Sequence, residues 1–300
     1  MAKTKIGLIQ VMQRAEDDYN ARCEMLYSQA EKCFIEGAEL VFFPEAFQHV
    51  PDRSIVKDHD RLSAVSAEWK QRCSELAKKY HAYLVPWDYE YTDGKVYNSS
   101  YILDRNGNEI GRYRKVHLTH SEQMRGLSNG EDFPVFDLDI GKIGIMICWD
   151  NYFPESARCL GNQGAQLVLY PLYGDTLDPQ WEIKVRARAI DNSMYIVFEQ
   201  IDGYNEAAYT GAVGPDGTVL ERITKEPGYR IVEVDLSAPV ITHTTGNKAI
   251  SENIKEMTER CRRPKAYGAL MKEPEIKEWN EIFYGNEPYI LTESEYLKKK

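Results

Sequence analysis

Residues 142–158, KIGIMICWDNYFPESAR, run a strand into a sharp turn and out into a helix. Ile143, Ile145 and Ile147 alternate with Gly144 and Met146, the two-residue period of a strand buried on both faces. Pro154 suits the first turn of a helix, and Glu155 sits near the positive end of that helix dipole. Cys148 occupies the turn between them. A thiol held there lies close to backbone N–H groups that favour its thiolate, which is what a cysteine nucleophile needs. The plainer reading of one such cysteine is a small buried apolar side chain.

The same alternation recurs along the chain. Strands are expected over 4–11, 39–43, 83–90, 96–103, 109–114, 133–137, 142–147, 166–170, 194–200, 210–213, 218–221 and 230–235. Helices are expected over 16–36, 61–80, 154–162 and 178–192. Arg105-Asn106-Gly107-Asn108 and Pro215-Asp216-Gly217 supply hairpin turns. Helices interleaved with strands, plus hairpins, predict an α/β fold with mixed sheets. Repeats, low-complexity tracts and Gly/Ser linkers are all missing from the sequence, which favours one catalytic domain.

Two more charged residues follow strand-like runs. AELVFFPEAF (38–47) ends on Pro44 and Glu45, and EIGRYRKVHL (109–118) places Lys115 between apolar flanks. A carboxylate just past a strand end lies on the edge where open α/β sheets hold ligands. Each charge alone reads as a solvated side chain. Glu45, Lys115 and Cys148, each after a different sheet segment, read together as base, oxyanion partner and nucleophile.

With FFPEAF, RKVHL and ICWDNYFPE in this order and spacing, the chain resembles the nitrilase superfamily of carbon–nitrogen hydrolases. RARAIDNSMYIV (186–197) and TGAVGPDGTVL (210–220) extend the resemblance, which covers about residues 4 to 240. It implies a four-layer α–β–β–α sandwich with two mixed β-sheets. It also implies a catalytic domain over 1–240 and a C-terminal extension over 241–300 that is not an independent domain. Cys148 becomes the expected nucleophile, Glu45 the general base, and Lys115 the partner of the developing oxyanion beside the Trp149 N–H. Members of the family often carry a second glutamate between the lysine and the cysteine. Glu122 fits that role, followed by Gly130, with Glu131 a rival. The chemistry requires no metal and no organic cofactor.

Composition sets the outer bounds. A net charge of −10, with no basic block except the last three lysines, argues against nucleic-acid and anionic-membrane partners. No apolar run approaches about 18 residues, and MAKTKIGLIQ enters a strand pattern without a signal-peptide core. Cys23, Cys33 and Cys73 fall on apolar helix faces, no CxxC occurs, and the six His are scattered. Unpaired thiols suggest a reducing, cytoplasmic setting. Trp279, Ile282, Phe283 and Tyr284 belong either to a subunit contact in a homo-oligomer or to a tail folded over its own domain.

Substrate choice is less constrained. Nitrile-cleaving relatives typically show Cys-Trp-Glu-Asn, whereas this chain reads Cys148-Trp149-Asp150-Asn151 and continues Phe153-Pro154-Glu155. That pattern resembles the amidase and N-carbamoyl branches, acting on a small-molecule amide or N-carbamoyl amine through an acyl-cysteine. The expected pocket contributors are Trp149, Tyr173 and His49, with Asp52, Asp175 and Asp178 as further candidates. Asp178 is better read as a helix N-cap. Arg125 could hold a substrate carboxylate but is better read as a surface arginine. The alternatives are a nitrilase, a non-catalytic binding protein on the same fold, and a cysteine protease. The last lacks a recognisable His partner.

Overall fold

The computed structural model describes residues 3–12, 14, 16–174, 180–202, 209–223, 227–242 and 251–272. The chain divides into two compact units, one ending at Glu259 and the other beginning at Arg260. In the second unit, the described residues form a 3-10 helix, Pro264–Met271. The rest of this description concerns the first unit.

An eight-stranded mixed sheet contains β1 (Thr4–Met12), β2 (Leu40–Phe42), β3 (Tyr83–Val85), β4 (Trp87–Thr92), β5 (Lys95–Leu103) and β6 (Glu109–Arg114). A six-stranded mixed sheet holds β7 (Val135–Leu138), β8 (Gly141–Ile145), β9 (Leu167–Pro171) and β10 (Tyr195–Glu199). The chain then returns to the first sheet as β11 (Ile201–Asp202), parallel to β1. The second sheet is completed by the hairpin of β12 (Thr210–Val213) and β13 (Val219–Ile223). β14 (Gly228–Val234) closes the first sheet antiparallel to β1. A separate two-stranded pair joins Ile241–Thr242 to Glu252–Asn253.

The strand period sorts side chains into layers. In β1, Ile6 and Leu8 enter a core shared with Ile143, Ile145, Leu167, Leu169 and Val197 of the other sheet. Ile9 and Val11 point the opposite way, toward α1 (Tyr19–Ile35) and α2 (His59–Tyr80). On the second sheet, Val168, Tyr170 and Ile196 face α4 (Pro154–Asn162) and α5 (Trp181–Asn192). The result is helices, sheet, sheet, helices: the four-layer sandwich that the resemblance implies. Gly144 permits close helix packing, because a Cβ there would stand 2.9 Å from Leu160 of α4.

Most expected elements are present with shifted ends. Pro86 divides the expected 83–90 strand into β3 and β4, since proline brings no N–H to a ladder. The short helix α3 (His120–Met124) is new, and its signal was in the sequence. Thr119 and Glu122 form a capping box, Ser/Thr-x-x-Glu, which fixes the start of a helix by satisfying backbone N–H groups reciprocally.

Candidate active site

Glu45, Lys115, Glu122 and Cys148 line one cavity of about 160 Å³, together with Arg53, Tyr89, Asn98, Arg125 and Tyr173. Their positions follow from strand ends. Glu45 comes just after β2, and the next residue, Ala46, turns the chain at φ 63°. Lys115 comes directly after β6, its own N–H donating to the Asn98 carbonyl at 2.8 Å. Its carbonyl accepts from Gly130 N–H at 2.8 Å, and a Cβ on Gly130 would meet the Arg114 carbonyl at 2.1 Å. Only glycine allows this approach.

Cys148 has φ 46° and opens a one-turn 3-10 helix, Cys148–Tyr152. Helix α4 starts only at Pro154, so the thiol does not sit at that helix's N-terminus. The expectation of a favoured thiolate is therefore corrected. Burial pushes the Cys148 thiol well above its usual range, and the Glu45 charge and its hydrogen bond with the thiol add to that, against the pull of Lys115.

The Lys115 ammonium is buried and bonded at every direction it can donate. Nζ lies 2.8 Å from Glu45 Oε1, 3.0 Å from Glu122 Oε1 and 2.9 Å from Glu122 Oε2. Burial alone works against the charge, but Glu122 and Glu45 outweigh it and raise the ammonium's pKa well above its usual value. Glu122 shows the reverse balance. Burial opposes ionisation, yet Lys115, the Thr119 N–H and Asn98 hold the carboxyl down at about 2. Two carboxylates around one ammonium leave a net negative cluster, and hydrogen bonds must carry the excess.

Asn98, from the middle of β5, carries part of it. Its Nδ2 donates to Glu45 Oε1 at 2.7 Å and to Glu122 Oε1 at 2.6 Å, and its Oδ1 accepts from Trp87 Nε1 at 2.6 Å. Sequence reading missed this residue. The only signal was the polar run Asn98-Ser99-Ser100 inside an otherwise apolar strand, all three buried. Glu45 Oε2 accepts from the Tyr173 N–H at 2.9 Å, a bond that ties the end of β9 in one sheet to the end of β2 in the other.

The other expected contributors separate. Tyr173 lines the cavity. Trp149 is half-buried and stacks on Tyr152 at 4.1 Å, and it is not among the cavity residues. His49 is buried with Nε2 2.7 Å from Asp88 Oδ1, and together with Asp52 it lines a neighbouring cavity of about 450 Å³. Glu131 is exposed, leaving Glu122 as the glutamate beside Lys115. Asp175, Asp178, Trp279, Ile282, Phe283 and Tyr284 lie outside the described residues.

Residues 5–239 match the family model described as carbon-nitrogen hydrolase. Among curated proteins, omega-amidase NIT2-A of Xenopus laevis is 30% identical over 254 residues, 79% of this chain and 90% of its own length. Human omega-amidase NIT2 is 28% identical over the same share of both chains. Among solved structures, a cysteine mutant of an amidase of the nitrilase superfamily from Nesterenkonia AN1 superposes with a TM-score of 0.73. It covers 90% of this chain and 97% of its own at 21% identity, a likeness of fold. With the sandwich and the three strand-end motifs in place, the match over most of its length makes this chain a member of the carbon–nitrogen hydrolase family.

Proposed function

We propose that this enzyme hydrolyses the C–N bond of a small amide through a thioester on Cys148. The observation that carries the reading is the junction of Glu45 and Lys115 at 2.8 Å, in the cavity that also holds the Cys148 thiol. In the first half-reaction the Cys148 sulfur attacks the amide carbon while Glu45 takes the thiol proton. A thiol that is neutral at rest needs such a base. Once Glu45 is protonated its hold on Nζ weakens, which frees a Lys115 donor for the tetrahedral oxyanion. Glu45 then gives the proton to the departing nitrogen, and ammonia or amine leaves. In the second half-reaction Glu45 takes a proton from water, the resulting hydroxide attacks the thioester, and the carboxylic acid departs as the thiol is reprotonated.

Glu122 and Asn98 position Lys115 and Glu45 in this scheme. Tyr173 fixes Glu45 through its backbone N–H and forms part of the substrate cavity. Trp149 contributes its backbone N–H to the oxyanion, and His49 buttresses the loop after Glu45. The catalytic unit is the sandwich of residues 1–240, with 241–300 its extension. The names of the omega-amidase relatives favour an amide over an N-carbamoyl amine as substrate. All six cysteines are free thiols, which supports a reducing, cytoplasmic setting, and a homo-oligomer remains the expected assembly. No helix among the described residues is long and apolar enough to cross a membrane.

The test is ammonia release over matched amide, N-carbamoyl and nitrile substrates, each with wild type and Cys148→Ala. Cys148-dependent ammonia and acid from the amides is the expected result. Turnover confined to nitriles would replace the amidase reading with a nitrilase.

A further inference from the structure

The neighbouring cavity of about 450 Å³ lies between the start of α1, the turn after Glu45 and the first half of α2. Two buried side chains line it with acceptors that no described residue fills. Gln48 is fully buried. Its Nε2 donates to the Trp87 carbonyl at 2.7 Å, while its Oε1 meets no partner among the described residues. His49 is 2% exposed, and its Nε2 lies 2.7 Å from Asp88 Oδ1. An ionised carboxylate only accepts, so Nε2 carries the hydrogen and Nδ1 of the neutral ring is an acceptor. No described residue donates to Nδ1.

The charges around these acceptors point the same way. Asp88 is buried, its Oδ1 also accepts from the Tyr89 N–H at 2.8 Å, and its Oδ2 meets no partner among the described residues. Asp18 and Glu68 are exposed at the cavity's edge and pair with no cation among the described residues. Arg61, which also lines the cavity, is taken by Asp52 at 2.8 Å. Unmet acceptors over uncompensated carboxylates are complementary to a hydrogen-bond donor that carries positive charge. Ile55, Val65 and the ring of Tyr19, whose hydroxyl turns to the Val65 carbonyl at 3.4 Å, give a short alkyl chain an apolar wall. The volume also lies within the ~300–1,000 Å³ of small-molecule sites.

We infer that this cavity is an effector site for a small primary alkylammonium, separate from the site of amide cleavage. The ammonium N–H groups bond Gln48 Oε1 and His49 Nδ1, and Asp18, Glu68 and Asp88 supply the countercharge. The occupant reaches the reacting groups through the frame it touches. Gln48 and His49 follow Glu45 by three and four residues in one turn. Trp87, whose carbonyl holds Gln48, gives its indole N–H to Asn98, which bonds both Glu45 and Glu122. The His49 ring packs 5.2 Å from that of Tyr89, a residue of the catalytic cavity. A ligand bonded to Gln48 and His49 therefore bears on the carboxylates around Lys115, and the two sites share a coupling free energy.

The experiment is calorimetry at pH 8 on the full chain with three probes of equal length: pentylamine, pentan-1-ol and pentanoate. Pentylamine is cationic there, as a lysine side chain is. It should bind wild type about tenfold or more tighter than the alcohol, and pentanoate should not bind. Gln48→Met should weaken the amine by about tenfold. The double variant Asp18→Asn/Glu68→Gln should weaken it by about threefold or more and keeps the α1 cap, since Asn caps as well as Asp. That double variant decides the matter if Gln48→Met fails to fold. Absent amine binding, tighter binding of pentanoate, or amine binding that the variants leave unchanged overturns the site. The coupling is read from amide turnover. Pentylamine near saturation should change the wild-type kcat by about twofold or more, and by less at the same concentration in the double variant. An unchanged wild-type kcat, or an equal effect in both proteins, overturns the coupling. If the protein hydrolyses no amide, the amidase reading fails and the binding measurements still decide the site.

Discussion

Asp150, two residues after Cys148, accepts from both the backbone N–H and the ring Nδ1 of His117, two residues after Lys115, at 3.0 and 2.9 Å. Its other oxygen accepts from the Tyr113 hydroxyl at 2.6 Å and from the Ile147 N–H at 2.9 Å. One fully buried carboxylate thus clamps the residues on both sides of Lys115 to the residue before Cys148. Asp150→Asn can satisfy only part of this set, leaving one or more buried donors unmet at about 1–3 kcal/mol each. Urea unfolding should show a loss of that order. Amide turnover should fall by about 10²-fold in the folded protein, because small displacements at a reacting centre are costly. Unchanged turnover at reduced stability would limit Asp150 to folding.

Glu45 carries the clearest separation of charge from chemistry. Its charge and hydrogen bond help hold the Cys148 thiol neutral. Glu45→Gln should therefore lower the pH at which Cys148 ionises, read from thiolate absorbance at 240 nm. Amide hydrolysis should nonetheless drop by about 10²–10⁴-fold or more, because the proton shuttle is gone. A more available thiolate with lost turnover is the expected pair. A variant that keeps near wild-type turnover removes Glu45 from the role of base.

Lys115 tests the enclosure of the ammonium. Both Lys115→Ala and Lys115→Arg should fail, for different reasons. The alanine leaves two buried carboxylates facing one another without their cation, at a cost of about 3–5 kcal/mol. The guanidinium is too large for a site closed by three carboxylate oxygens, and strains it by about 1–3 kcal/mol. Circular dichroism and kcat/KM on the best amide check this. A folded Lys115→Arg enzyme within tenfold of wild type would make the lysine a general counter-charge only.

Glu199 gives a pH prediction away from the site. It ends β10, where the chain crosses between sheets, and accepts from the Ile9 N–H of β1 at 2.7 Å, while its other oxygen meets no partner among the described residues. Burial raises its carboxyl pKa well above the usual value, against the Ile9 bond. An unfolded glutamate ionises near about 4.3, so above that pH the folded state holds the extra proton. Stability then falls as pH rises, by up to about 1.4 kcal/mol per unit, until the folded carboxyl ionises. Glu199→Gln keeps the acceptor and removes the slope. Its urea stability should gain on wild type as pH rises above about 5, until the folded carboxyl ionises. A constant difference across that range would contradict the account.

Much of this was legible in the sequence, for a physical reason. Strand alternation such as Ile143-Gly144-Ile145-Met146-Ile147 determines which face each residue serves, and the turn residues Pro44 and Pro154 mark where elements end. Chemistry placed just past a strand end is readable because the end itself is readable. Asn98 and Tyr89 were not, since both sit inside strands and act through partners distant in sequence. Glu122 was found by resemblance, but its helix was overlooked because a five-residue helix has no apolar period, only its capping box. The Cys148 thiol was misjudged because desolvation and the Glu45 charge arise only in three dimensions. Lys115 and Glu45, seventy positions apart, meet through the parallel and antiparallel pairings that join β2 to β3, β3 to β5 and β5 to β6.

The central claim is a covalent acyl group on Cys148, and intact-mass spectrometry after rapid acid quench reads it directly. Wild type mixed with its best amide should gain the mass of the acyl group, that is, the substrate less its departing amine, within the first turnover. Peptide mapping should locate the addition in the segment containing Cys148, and Cys148→Ala should show neither the addition nor turnover. Turnover by folded Cys148→Ala, or an acyl group mapped to another side chain, would contradict the thioester mechanism at its root.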